Sequence, residues 1–240
     1  RTNPVSALDV NGVVTASGFS GSGSALSSVN AVTLGGLDNS GFWKTTGNPG
    51  TIDANFIGTT DPQSLVFKVD NLRMLRIDPL GFPGTPNIIG GVGSFVTPGL
   101  QGNFIGNSSG DAGSNYITAV NFNVIGGGYA NRITNGFDNF IGSGQYNTVA
   151  TTERAGVIGG GSDNYVSGSY ATIPGGINNA ATGDRSFAAG NRAKAEHQRS
   201  FVWADSQNGD FASTANDQFL IRAAGGATFS SGSVGLNQTV

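Results

Sequence analysis

Asn139-Phe140-Ile141-Gly142-Ser143-Gly144-Gln145-Tyr146-Asn147-Thr148-Val149 is answered further on by Gly156-Val157-Ile158-Gly159-Gly160-Gly161-Ser162-Asp163-Asn164-Tyr165-Val166. Apolar pair, glycine, asparagine and a second apolar residue return in the same order at the same offsets. Self-similarity at a short period marks a stacked repeat and takes precedence over any local reading. Working outward, the opening quartet recurs upstream as Asn87-Ile88-Ile89-Gly90, Asn103-Phe104-Ile105-Gly106 and Asn123-Val124-Ile125-Gly126. Downstream it recurs as Ala171-Thr172-Ile173-Pro174, Ser186-Phe187-Ala188-Ala189 and Ser200-Phe201-Val202-Trp203. The fourth residues stand at 90, 106, 126, 142, 159, 174, 189 and 203, so a step of 16–20 residues narrows to 14.

The third column of the quartet is apolar throughout: Ile89, Ile105, Ile125, Ile141, Ile158, Ile173, Ala188, Val202. The second column is Ile88, Phe104, Val124, Phe140, Val157, Phe187 and Phe201, interrupted by Thr172. Neighbours in a strand point to opposite faces. One column therefore fills the coil as its structural core. The other needs burial against something outside it, most economically another chain.

The second half of the repeat carries Gly128, Gly144, Gly161 and Gly176, then Asn131, Asn147, Asn164 and Asn179, then Ile133, Val149, Val166 and Ala181. It reads as a glycine turn, an asparagine turn, a second short strand and a polar corner such as Ser167-Gly168 or Thr182-Gly183. Asparagine tolerates the left-handed conformation and bonds its own backbone, which suits a corner. One such coil cannot bury its own apolar face, so stability must come from stacking. The widest step, Gly106 to Gly126, predicts an extended corner over Asn107 to Asn121.

Composition agrees with a turn-rich fold. Glycine supplies 40 of 240 residues and charged residues 11%, against roughly 7% and 25% in ordinary domains. Apolar residues at 37% can form a core. A net charge of -3 and a pI of about 4.9 leave no basic footprint for nucleic acid. No run approaches the ~18 apolar residues that mark a membrane span. Zero cysteines exclude a disulfide framework. The start at Arg1-Thr2-Asn3-Pro4 reads as a mature form or a fragment.

The flanks divide the chain further. Residues 1–40 read as a strand-like piece, Ala7 to Ala16, followed by a Gly/Ser-rich connector from Gly18 to Ser24. Residues 41–86 read as a small β element with a hairpin over 64–77, where Ser64 to Val69 and Leu72 to Ile77 flank Asp70-Asn71. Asn55-Phe56-Ile57-Gly58 echoes the quartet and suggests a related coil. Residues 87–205 are the repeat. Residues 206–240 contain a strand at Gln218 to Arg222 and a turn-rich tail. No helix is predicted.

Ser186-Phe187-Ala188-Ala189-Gly190, followed by Ala193-Lys194-Ala195 and then Ser200-Phe201-Val202, resembles the head repeat of YadA-type trimeric autotransporter adhesins. That resemblance covers roughly residues 87–205 and implies a left-handed parallel β-roll assembled as a homotrimer. Thr2-Asn3-Pro4 with Leu8-Asp9-Val10-Asn11-Gly12 and Gly21-Ser22-Gly23-Ser24-Ala25-Leu26 is similar to segments of bacteriophage tail-fibre and related bacterial fibre proteins. Together they imply an extracellular, cell-surface or virion-borne fibre.

Catalytic chemistry finds little support. The single histidine, His197, would have to serve any Ser-His-Asp arrangement, and reads instead as a polar corner. Zinc needs several His or Cys ligands. The thirteen Asp and two Glu are spread along the chain, with Asp111, Asp138, Asp163, Asp184 and Glu153 in corner segments. A glycosidase pair would need two carboxylates brought together between coils or chains. Gly159-Gly160-Gly161-Ser162-Asp163 lacks the nine-residue period of calcium-binding β-rolls. Tyr129, Tyr146, Tyr165 and Tyr170 sit at different offsets from their quartets and predict no single sugar-binding column. The expectation is a non-enzymatic structural fibre or adhesin without cofactors, partnered by copies of itself, as a homotrimer or an end-to-end polymer. A tail-fibre-like binder of a host receptor or glycan is the alternative; a fibre-borne glycan-cleaving enzyme ranks below both.

Overall fold

The computed structural model describes residues 12–13, 15, 17, 33–34, 37–38, 47, 49–52, 54–79, 84–108, 110, 113–118 and 121–228. The strand-like piece expected over Ala7 to Ala16 and the connector Gly18 to Ser24 lie largely outside these residues. So do parts of the long corner after Asn107 and the tail beyond Thr228. The chain divides into two units, Arg1–Ile57 and Gly58–Val240. In the first, Thr33–Leu34 pairs antiparallel with Leu37–Asp38.

The second unit is an all-β parallel solenoid. Nine strands of one sheet are the quartets: Asn87–Gly90, Phe104–Ile105, Val124–Ile125, Phe140–Ile141, Val157–Ile158, Thr172–Ile173, Phe187–Asn191, Phe201–Ala204 and Phe219–Arg222. The other sheet takes one short strand per coil, from Phe95–Val96 to Phe211–Ala212, and its eight strands mark about eight coils. The inward columns stay in register: Ile141 lies between Ile125 and Ile158, and Val149 between Ile133 and Val166, the shifts falling beyond Ile133. The third quartet column fills the interior, with Ile105, Ile125, Ile141, Ile158, Ile173, Ala188 and Val202 fully buried. Facing it across the coil are Val96, Ile117, Ile133, Val149, Val166, Ala181 and Ala195. Two facing stacks of branched side chains make one continuous core from coils that are individually too small for one.

In the coils from Phe122 to Arg199, corners before both sheets are turned by a residue in the left-handed region. Before the second sheet these are Ala130, Tyr146, Asp163, Asn178 and Arg192; before the quartets they include Phe122, Asp138, Ala155, Tyr170, Arg185 and Arg199. Their φ values lie between 53° and 63°. A non-glycine residue there costs roughly 1–2 kcal/mol. The same turn aims its N–H one coil back, as in Tyr146 N to Tyr129 O at 2.9 Å and Asp163 N to Gln145 O at 3.1 Å. Strain at the corner is thus offset by a bond that holds neighbouring coils together.

The asparagines occupy a different place from the one expected. Asn131, Asn147, Asn164 and Asn179 are not the left-handed corner residues but the buried residues that follow them. Each sits two positions before an inward apolar residue and so shares its face. Asn147 donates through its backbone N (3.1 Å) and its Nδ2 (3.0 Å) to Asn131 Oδ1, and its own Oδ1 accepts the same pair from Asn164. This ladder runs from Asn115 to Asn179 and ends on Ala193 N. A second ladder joins Asn87, Asn103, Asn123 and Asn139 at the head of the quartets. It ends where Gly156 N and Thr151 Oγ1 donate to Asn139 Oδ1. From there the column carries Gly156, Ala171, Ser186 and Ser200 instead.

The expected hairpin forms, Leu65–Val69 against Leu72–Asp78, with Asp70 and Asn71 both left-handed at the turn. It adds to the quartet sheet antiparallel to Asn87–Gly90. Arg73 fastens it to the first coil by donating to Ser94 O at 2.6 Å and to Gly91 O. Asn55 to Gly58 forms no strand, and Phe56 and Ile57 are exposed. At the other end, Phe219–Arg222 pairs parallel with Phe201–Ala204, so the solenoid runs one coil beyond residue 205.

Candidate functional site

The outward face of the quartet sheet is an apolar band, broken at Thr172 between Val157 and Phe187. Ile88, Phe104 and Phe140 remain 39–41% exposed and Phe219 65%, with Val124, Val157, Phe187 and Phe201 half-buried between them. Phe187 and Phe201 stack at 4.6 Å between ring centres, and Phe201 and Phe219 at 4.8 Å. The register carries the band onto the hairpin, where Ile77 stands opposite Ile88 and Leu75 opposite Phe67. The outward face of the second sheet is mixed by contrast: Phe95, Tyr116, Arg132, Thr148, Tyr165, Ala180 and Lys194.

Between the two sheets, the glycine corner forms a shallow groove of about 670 Å³. Its floor is Gly128, Gly144 and Gly161, where a Cβ would stand 2.1 Å from the carbonyl oxygen of Gly144, Gly161 and Gly176 respectively. Stacking itself therefore keeps the floor bare. Asn107, Ser108, Tyr129, Ser143, Gln145, Ser162 and Ile177 stand along it. Tyr129, Gln145, Ser162 and Ile177 are linked by parallel bridges, a third short ladder of the coil. Tyr129 and Tyr146 meet edge to face at 5.4 Å, a pairing their unequal offsets did not predict. A hydrogen bond with Tyr129 holds the Tyr146 phenol above its ordinary range.

The last coil is clasped by two carboxylates. Asp205 accepts from Arg222 Nε at 3.0 Å and from Ala224 N at 2.6 Å, while Arg222 also donates to Gly209 O and Gln207 O. Asp217 receives both Nε (2.5 Å) and Nη2 (3.0 Å) of Arg199. The amide of Ala224, then those of Gln207 and the Arg222 guanidinium, hold Asp205 below the usual carboxylate range; the bond from Arg199 does the same for Asp217. Folded values below the unfolded ones mean the unfolded chain binds more protons at low pH, so stability rises with pH. The contribution is complete above about pH 4 and is lost as pH falls through the lowered values. Hydrogen exchange across Phe201–Ala204 and Phe219–Arg222 should therefore accelerate selectively below that point. Asp205→Asn should flatten the pH dependence; equal acid sensitivity in Phe140–Ile141 would contradict it.

His197 lies in a corner where its Nδ1 is 2.9 Å from Ser213 Oγ. That oxygen also accepts from the backbone N of Glu196 and of His197, so the Ser213 hydroxyl is a corner lock. Among the described residues no group of three His, Cys, Asp or Glu side chains converges, and no helix is long and apolar enough to cross a membrane. No family model, curated protein or solved structure matches this chain.

Proposed function

We propose that the chain is a structural and adhesive segment of an extracellular fibre, and that three copies seal along the outward face of the quartet sheet. The observation that carries this is the apolar band from the hairpin to Phe219, which no described residue of the solenoid unit covers. Exposed apolar surface of this continuity marks an interaction site, and self-association in soluble proteins is most often closed and symmetric. The YadA-like quartets from Ser186 to Val202 support the threefold choice, with Ile88, Phe104, Val124, Phe140, Val157, Phe187 and Phe201 as the inter-chain column. The mixed second sheet and the groove then stay at the surface. The non-enzymatic reading rests on carboxylates that do not converge in threes among the described residues and on the structural hydrogen bond of His197.

Native mass measurement at micromolar concentration should give three times the 24.3 kDa of one chain. The double substitution Phe104→Glu with Phe140→Glu sets like charges along the seam and should yield folded single chains. A wild-type protein that is stably monomeric would sink the proposal.

A further inference from the structure

The geometry points to the glycine groove as a binding site for a neutral oligosaccharide. The groove is uncharged among its lining residues and offers what a sugar needs: an aromatic edge at Tyr129, and amide and hydroxyl groups at Asn107, Ser143 and Gln145, while the Ser162 hydroxyl is taken up by Asp163 and Gln145. Its volume of about 670 Å³ falls in the range of small-ligand sites, roughly 300–1,000 Å³. Among the described residues Asn107 Nδ2 and Gln145 Oε1 have no protein partner, whereas Gln145 Nε2 is oriented by Ser162 Oγ at 3.4 Å. One donor group and one acceptor thus remain for a ligand along the groove.

The occupant is set by chemistry. A peptide strand would pair with an open sheet edge, but the backbone of Gln145 is already occupied on both sides: its N donates to Gly161 O and its O accepts from Asp163 N. An anionic glycan would need a cation, and the groove lining holds none. What remains is a chain of hydroxyls lying over a bare glycine floor, with one sugar ring against Tyr129. The site lies off the outward apolar band, so it does not rest on trimer formation.

The test is a glycan array carrying neutral and acidic oligosaccharides, followed by calorimetric titration of cello-, malto- and chito-oligosaccharides into the full chain. At least one neutral class should bind. Tyr129→Ala should weaken it about tenfold, Tyr129→Phe should retain it, and Ser143→Arg should block it at unchanged thermal stability. Should Tyr129→Ala unfold, Ser143→Arg and Gln145→Ala, both at exposed positions, keep the question decidable. Binding that persists in the Phe104→Glu, Phe140→Glu single chain supports a site within one coil stack, whatever the oligomer. No neutral binder, binding of acidic glycans alone, or binding indifferent to Tyr129→Ala and Ser143→Arg would overturn it.

Discussion

Asn147→Ala should destabilise the solenoid by roughly 3–5 kcal/mol, more than most polar-to-alanine changes. The side chain is fully buried. Its Oδ1 is the acceptor for Asn164 N at 3.1 Å, a backbone donor inside the coil with no other acceptor among the described residues. Alanine leaves that donor orphaned, at about 1–3 kcal/mol, and opens a void between Asn131 and Asn164. Not every broken bond counts equally. Gly161 O keeps Gln145 N as a donor at 3.0 Å, and Asn131 Oδ1 keeps the backbone N of residue 147 at 3.1 Å. The largest single loss is therefore the stranded amide. Denaturant unfolding is the measurement, with exposed Asn208→Ala as a control expected within about 0.5 kcal/mol. A double substitution at Asn147 and Asn164 should cost less than the sum of the singles, because they share bonds. Additive losses would mean that the column is a set of separate contacts rather than a ladder.

That ladder shows where sequence reading stopped short. The period placed every quartet, because an apolar residue at each recurrence has only one explanation in a stacked coil. The hairpin at Asp70-Asn71 was equally legible from its flanking strands. Asparagine was assigned to corners on its preferences alone. The correcting signal was the two-residue offset: Asn131 to Ile133, like Asn87 to Ile89, puts both side chains on one face, and that face is the core. The corner instead falls on Tyr146, Asp163 or Arg192, residues with no shared chemistry. Only the backbone geometry of the turn selects them, so no column could reveal them. The coil at Phe219–Arg222 escaped the repeat because the segment clasped by Asp205 and Arg222 stretches the step. The groove was invisible for another reason: it is defined by side chains that are not there.

Those bare positions carry the second large effect, Gly144→Ala. Gly144 has φ of +100°, and a Cβ added there would lie 2.1 Å from Gly161 O, 2.7 Å from Asn147 Nδ2 and 2.9 Å from Gly161 N. Two of those three atoms are backbone of the next coil, fixed by the ladder Tyr129, Gln145 and Ser162 on one side and the Asn147 ladder on the other. They cannot withdraw without separating the coils. Conformational strain alone is about 1–3 kcal/mol, and the overlap adds to it through a close-packed stack that relaxes poorly. A loss of at least about 4 kcal/mol is expected, enough to unfold a marginal chain. Gly160→Ala is the matched control one coil on: its φ is unstrained and its nearest contact is Ser143 O at 3.7 Å, so its melting temperature should barely move. The position of Gly144 in the stack sharpens the test, because a local defect should break nearest-neighbour coupling between coils. Hydrogen exchange should then show the coils on either side of residue 144 opening together while Phe187–Asn191 stays protected. Uniform loss of protection along the whole solenoid would show instead that it unfolds as one unit, and equal stability of Gly144→Ala and Gly160→Ala would show that the coils are not stacked as tightly as the backbone contacts require.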